Sequence, residues 1–370
     1  MVAGTSSATA ADALSGNPFA GAAGFTVVSY GDADVANHEI EGSIAVGGDI
    51  RSTSGQGPYN LIHKAAGNGA YALPVYDSTP VRLVVGGTFD RAHSSQLIRV
   101  SSGGFSDAAT QLGRTVIGNT TGLGVAPRGS GVCVQADGDS SCSGAVIEQS
   151  VAPQTVGWTT QAGAFDALVP SAARDTMLDW SAGLASGDIV GAATATFGGD
   201  FGNPMNGLEI GMTANATNVL DVAASAFPSG DWKLKFPGVV PSPTSPLVIN
   251  VTVPDGGNLN FPMEAINQYS GGSDNNLFAR YVVWNIVQPA GSSVYLSGNG
   301  IVPGSILAPN SHVVTGFSGP ADTSVDKVLV EGQVVAASIE FKHSGEVHHY
   351  GFAADITIAG GGDEDGGGFS

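Results

Sequence analysis

Residues 293–314 read SVYLSGNGIVPGSILAPNSHVV, and the punctuation of that stretch decides the fold. Short runs of Val, Ile, Leu and Tyr are interrupted every few positions by Gly, Pro or Asn. Alternation within each run sends the aliphatic side chains to one face, and Gly and Asn supply the backbone geometry of a corner. Strands separated by one or two corner residues suit a coiled parallel sheet better than a set of hairpins. The same grammar recurs in EGSIAVGGDI (41–50), VRLVVGGTFD (81–90) and DKVLVEGQVVAASIEF (326–341). No fixed period runs through the whole chain. The expectation is a mainly β protein, a β-helix or solenoid-like coiled sheet.

Working outward, one segment breaks the pattern. AFDALVPSAARDTMLDWSAGL (164–184) places Phe165, Leu168, Met177, Leu178, Trp180 and Leu184 at near-helical spacing. Pro170 with Ser171 marks a helix start and Gly187 a stop. The spacing predicts one α-helix of about four turns lying on a flank of the β-core and covering one of its faces. The coiled sheet and this helix form one domain over 23–358, since no low-complexity linker divides them. Residues 1–22 are a small-residue segment without the cationic start and apolar core of a signal peptide. Residues 359–370, AGGGDEDGGGFS, are a flexible Gly and acidic tail, the start of a linker toward an anchor.

Composition bounds the partners. The chain has 370 residues with 55 Gly, 13 Lys plus Arg and 32 Asp plus Glu, for a formal charge of -19. That charge repels phosphate backbones and anionic headgroups, so nucleic acid and membrane surfaces are poor partners. No run of 18 or more apolar residues occurs, so no transmembrane helix is expected. Self-repulsion favours a soluble monomer. Cys133 and Cys142 flank an Asp-Gly turn in GVCVQADGDSSC; a hairpin disulfide between them would need an oxidising compartment.

These residues carry a resemblance. AGFTVVSYGDADVANHEIEGSIAVGGDI (23–50), the helical segment after VGWTTQAGAFDALV, YVVWNIVQPAGSSVYLSGNGIVPGSILAPNSHVV (281–314) and VEGQVVAASIEFKHSGEVHHYGF (330–352) together resemble the bacterial choice-of-anchor A family of surface adhesin domains. The WN pair, the LAPN element and the GEVHH ending are the specific parts. The resemblance spans Ala23 to about Ile358. It implies a β-helix-like adhesive domain with a helix packed alongside, on a secreted or wall-attached protein, and it supplies no catalytic residues.

Several residue constellations could carry chemistry. There is no G-x-S-x-G elbow, no phosphate loop and no G-x-G-x-x-G. His343, His348, His349 and Glu346 lie close in KHSGEVHHY and could hold zinc, but neighbours on a strand point to opposite faces, which favours a structural role in closing the last rung. Asp32, Asp34, Asp137, Asp139 and Asp200 sit in turn contexts that use Asp for local hydrogen bonds. No metal or cofactor is therefore assigned, and Ca2+ is the one cation such loop carboxylates would suit. Tyr59, Tyr71 and Tyr76 cluster in GQGPYNLIHKAAGNGAYALPVYD (55–77). A tyrosine-bearing insertion between two rungs is the expected ligand-binding surface. The functional expectation is a non-catalytic extracellular adhesin-type domain, secreted or cell-surface attached, for a glycan or a host or matrix protein. The alternatives are an ice-binding protein, for which no repeated Thr-x-Thr rungs are seen, and a glycan-cleaving β-helix enzyme.

Overall fold

The computed structural model describes residues 13–36, 39–53, 57–62, 71–100, 113–129, 131–149, 158–266, 277–316, 327–342 and 345–360. His343, the first part of the 1–22 segment and the tail beyond residue 360 lie outside them.

Short strands stack rung on rung into a coil with three sheet faces. On the first face the spatial order is Trp158–Thr160, Arg114–Ile117, Thr79–Val85, Ile44–Val46, Val27–Ser29, Val334–Phe341, Ser305–Thr315, Val282–Val287, Leu247–Thr252, Thr217–Ala223 and Ala192–Thr194. Every one of these pairings is parallel. The second face carries Ile147–Gln149, Ile98–Val100, Tyr59–Ile62, Glu39–Glu41, Glu346–His348, Leu329–Glu331 and Ile301–Pro303, again parallel. The third is shorter. It is built from Ile50–Arg51, Ala33–Val35, the second halves of the two long strands 305–315 and 334–341, Ser293–Ser297 and Gly257–Asn260. The solenoid reading of the sequence holds.

Spatial order departs from chain order at one place. The chain starts mid-coil at Val27–Ser29 and winds toward Trp158–Thr160. It then crosses by way of the helical segment to Ala192–Thr194 at the opposite end and winds back. Its closing strand, 334–341, docks against the opening strands through Val27↔Val334 on the first face and Asp34↔Glu340 on the third. This seam joins residues about three hundred positions apart.

Side chains facing inward from all three faces make the main core. In the rungs before the crossing the filling is mostly aliphatic. In the rungs after it, aromatics take over: Trp284 lies 4.9 Å from Phe261, and Phe227 stacks on Trp232 at 5.6 Å. The indole N–H groups do not go unpaired, since Trp284 Nε1 donates to Pro303 O and Trp232 Nε1 to Asn260 O. Each such side chain contributes about 2–3 kcal/mol by burial.

A second apolar layer covers the outside of the first face. Two helices supply it, α1 (Ala164–Leu168) and α2 (Ser171–Ser186). The sequence predicts one. That helix of about four turns, from the Pro170–Ser171 start to the Gly187 stop, is α2; α1 is an added short helix before it, and Pro170, extended at φ -64° and ψ 157°, separates the two because its ring is tolerated at a helix start but not inside. Gly187 ends α2 in the left-handed region at φ 84°. Met177, Trp180, Ser181 and Leu184 form the buried side of α2.

Two sequence motifs acquire a physical cause here. In the WN pair, Trp284 points into the coil and Asn285 points out under the helix. Asn285 Nδ2 donates to Ser181 O and to Asn250 Oδ1, and its Oδ1 accepts from the Ser181 hydroxyl at 2.7 Å. Asn250 in turn donates to Leu184 O and to Asp221 Oδ1. This amide ladder bolts α2 to three rungs. The repeated VGG and IGN corners are the second case. Gly47, Gly86 and Gly118 stack in one column, and a Cβ on Gly86 would sit 2.5 Å from Gly47 O and 3.2 Å from the Phe165 Cβ of α1. These glycines are required for close approach; the positive-φ role expected from the sequence is not theirs.

An antiparallel excursion, Leu123–Arg128 with Gly131–Ala136, extends the second face. Cys133 and Cys142 are disulfide-bonded there, with Cα atoms 5.9 Å apart.

Candidate functional site

With the first face under the helices, the second and third faces remain as outer surfaces. On the rungs before and at the seam their outward rows are polar, and beyond it they turn apolar at Leu329 and Ile301 on the second face and at Val314 and Tyr295 on the third. Across the second face the register aligns Glu148, Arg99, Asn60, Glu39 and Glu346. Across the third it aligns Arg51, Asp34 and Glu340.

A groove of about 460 Å³ lies on the third face at the seam. One wall is a corner ladder. Asp32 Oδ1 accepts from Asp49 N–H at 2.9 Å, and Asp49 Oδ1 accepts from Thr88 N–H at 2.7 Å. The Gly-Asp turns of the sequence thus tie successive rungs, the local role that their turn context predicts. The floor is an ion network. Asp34, almost wholly buried, accepts from Arg51 Nε at 3.0 Å, Lys342 Nζ at 2.9 Å and the Thr53 hydroxyl. Lys342 also meets Glu340 at 2.7 Å. His312 bridges onward, with Nε2 3.5 Å from Glu340 and Nδ1 sharing a 2.7 Å hydrogen bond with Ser338. The hydrogen bond from His312, reinforced by Lys342 and opposed by partial burial, pulls the Glu340 carboxyl down to about 2.

Ser338, His312 and Glu340 stand in the order of a hydrolase triad. The outer link at 3.5 Å is long, however, and Lys342 holds the same carboxylate. The amide after the serine, which supplies an oxyanion donor in elbow-type hydrolases, here donates to Asp32 O. The arrangement has hydrogen-bond donors and acceptors for a polar ligand, and it lacks the donor geometry of acyl transfer.

The predicted tyrosines do not form a surface. Tyr59 is fully buried in the main core, on a second-face strand, so it offers nothing to a ligand. Tyr71 turns into the corner between the first and second faces. Its hydroxyl shares a 2.7 Å hydrogen bond with Ser43, and its ring lies 3.8 Å from that of His349. Tyr76 packs on the edge of the helix-side layer, with the Arg114 guanidinium 5.7 Å from its ring centre. For Tyr59 the expectation fails because YNLI, read as loop, is a rung whose first residue points inward; Tyr71 and Tyr76 stay half-buried.

His348 and His349 do take opposite faces. His349 is buried and bonded to Thr26, and burial, with the Arg280 charge, takes its pKa down to about 3. His348 faces out among Glu39, Glu41, Glu331 and Glu346. Burial lowers its pKa, but the Glu346 hydrogen bond and the surrounding carboxylates outweigh this, and the net shift is upward. Its Nε2 lies 2.9 Å from Glu346 Oε2. The sequence singled out Glu346 with His348; it missed Glu39 and Glu41, whose positions three hundred residues earlier are brought alongside only by the seam. Asp139 contacts Arg91 at 3.3 Å, and Asp200 accepts from Asn203 and Asn206 within its own turn.

A family profile described as a "Putative Ice-binding-like adhesive domain" matches residues 18–349. Among curated proteins, none matches. Solved structures include an ice-binding protein from the Antarctic ascomycete Antarctomyces psychrotrophicus, 10% identical, with 90% of this chain and 97% of that one covered and a TM-score of 0.33. The DUF3494 domain of an ice-binding protein from Shewanella frigidimarina is 13% identical over 91% and 98%, at 0.35. A glycosylated ice-binding protein from an Arctic yeast is 11% identical over 89% and 92%, at 0.28. No helix among the described residues is long and apolar enough to cross a membrane.

Proposed function

Because this chain belongs to the ice-binding-like adhesive domain family, we propose that it is an extracellular adhesive domain whose seam groove holds a polar ligand, a glycan or a protein segment. The single observation that carries the reading is the groove itself. It concentrates carboxylates, a guanidinium, an imidazole and a hydroxyl on a rigid parallel scaffold, within the usual size range of a ligand site. Arg51 is the donor with most freedom to engage a ligand, since its side chain is 44% exposed while Asp34 beneath it is 2% exposed. The surface setting agrees with the disulfide, which persists in oxidising compartments. A bacterial source, an anchor beyond the acidic tail as in choice-of-anchor A adhesins, one domain over 23–358, a monomeric state and the absence of catalysis belong to the same proposal.

Retention of the purified chain on glycan arrays, matrix proteins and cells tests it. Retention that weakens about tenfold or more in Arg51→Ala supports the groove. No retention on any of these surfaces overturns the reading. Ice is the second reading, and the family description favours it at least as directly as a glycan or protein. Thermal hysteresis with faceted ice crystals, unaffected by Arg51→Ala, would put ice in place of the groove ligand.

A further inference from the structure

The outward side of the second face carries a cluster that the adhesive reading does not use. Glu39 and Glu41 come from the opening rung, and Glu346 and His348 from the closing one. Glu39 stands in register with Glu346, and two residues further along each strand Glu41 stands beside His348. Glu331, on the next strand, is in register with His348 from the other side. The ligand atoms of Glu39, Glu41 and His348 all lie within 4.8 Å of one another.

We propose that Glu39, Glu41 and His348 form a binding site for a divalent transition cation of the zinc type, clasping the first rung to the last. Two observations point to a metal, the convergence itself and the orientation of the imidazole. Histidines that ligate metals characteristically donate their other ring N–H to a carboxylate, which fixes the tautomer. Here Glu346 Oε2 lies 2.9 Å from His348 Nε2; in the tautomer that donates from Nε2 to this carboxylate, Nδ1 carries the lone pair a metal would take. Two carboxylates with one imidazole make a three-ligand set of the kind zinc takes with an open fourth position. A nitrogen ligand argues against Ca2+, which prefers six to eight oxygens. Like charges opposite each other across neighbouring strands cost stability, as Glu39 and Glu346 are here, and a cation held by Glu39 would offset that cost. Both cysteines are disulfide-bonded, so no thiol competes for the ion.

The position gives the site its consequence. The two carboxylate ligands and the imidazole are about three hundred residues apart in the chain but adjacent at the seam. A metal held between them binds the folded state and not the unfolded one, so its binding energy adds to folding.

Calorimetric titration of the full chain, dialysed against chelator, with Zn2+ tests the site. The expected result is one Zn2+ per chain, a thermal midpoint raised by the metal, and Ca2+ at equal concentration giving neither effect. Glu41→Gln and His348→Gln, which each remove a ligand, should weaken binding by more than the roughly 10–100-fold that loss of an orienting partner costs, with the variants still folded in the absence of metal. Glu346→Gln, which changes only the orienting partner, should weaken it less. His93→Gln controls for a solvent-exposed imidazole beside a carboxylate, His93 with Asp90, and should change nothing. Sub-stoichiometric binding, or binding equal in wild type and His348→Gln, overturns the proposal. Because the groove on the third face is not involved, loss of this site leaves adhesion tests interpretable, and the reverse holds as well.

Discussion

Replacing Asn285 by Leu removes the bolt between helix and coil. The side chain is fully buried and makes three hydrogen bonds, two to Ser181 and one to Asn250. Leu keeps the volume but leaves the Ser181 hydroxyl and Asn250 Oδ1 buried without those partners. Each stranded polar group costs about 1–3 kcal/mol, so the expected loss is about 4 kcal/mol. The companion variant Ser181→Ala should cost about 1 kcal/mol, because it removes a hydroxyl whose bond is lost with it. The double variant should then be about 1–2 kcal/mol less damaging than the sum, since the stranded hydroxyl no longer exists. Urea unfolding followed by tryptophan fluorescence reads this directly, as Trp284 and the helix residue Trp180 are both buried beside the contact. A loss under about 1 kcal/mol for Asn285→Leu, or strict additivity in the double variant, would refute the claim that the amide ladder holds α2.

Three further outcomes are expected. Reducing Cys133–Cys142, or replacing both by Ala, opens a loop spanning nine residues; chain entropy gives a loss of about 2.5 kcal/mol, measurable by denaturant titration with and without reductant. Gly86→Ala forces a methyl to within 2.5 Å of Gly47 O and should cost about 2–3 kcal/mol, while Gly138→Ala, where nothing lies within 4 Å but φ is +80°, should cost only about 1 kcal/mol. Glu340, lowered from 4.5 to about 2, contributes stability present above pH 4.5 and lost as pH falls toward 2. The full shift corresponds to ~3.4 kcal/mol, and partial exposure reduces it to about 1–2 kcal/mol. Glu340→Gln should flatten the stability profile across that window, and an unchanged slope would contradict the network.

The coil was legible because its signal is local. Each rung writes its own alternation and corner, and α2 its own 3.6-residue spacing, so neither needs knowledge of distant residues. The seam was not legible for the opposite reason. Nothing in DVANHEIEG announces that Glu41 will lie beside His348, because the pairing follows from the crossing to the far end and the return. The same blindness hid Asn285, whose partners Ser181 and Asn250 are 104 and 35 residues away. Tyr59 misled for a local reason. Its rung is short and flanked by Gly and Pro on one side and by a long connection on the other, so the strand YNLI carries too few alternations to stand out.

The family description joins adhesion and ice, and the outward rows weigh between them. A surface for ice must shed its own water over a flat area and match an uncharged lattice. On the second face the aligned outward residues are Glu148, Arg99, Asn60, Glu39 and Glu346, followed by Leu329 and Ile301, and on the third Arg51, Asp34 and Glu340, followed by Val314, Tyr295 and Asn258, so the charge is concentrated on the rungs before and at the seam. Ionised groups hold water strongly, and stripping it without a charged or hydrogen-bonding partner is costly. A polar ligand offers such partners; an ice plane offers no charge. The first face has the apolar, regular rows that could lie flat against a surface, Val28, Ala45, Val84 and Val116, but these are buried under the helix-side layer. On the seam rungs the open faces therefore carry charge that favours the proposed polar ligand over ice, and the retention and thermal-hysteresis tests decide between the two.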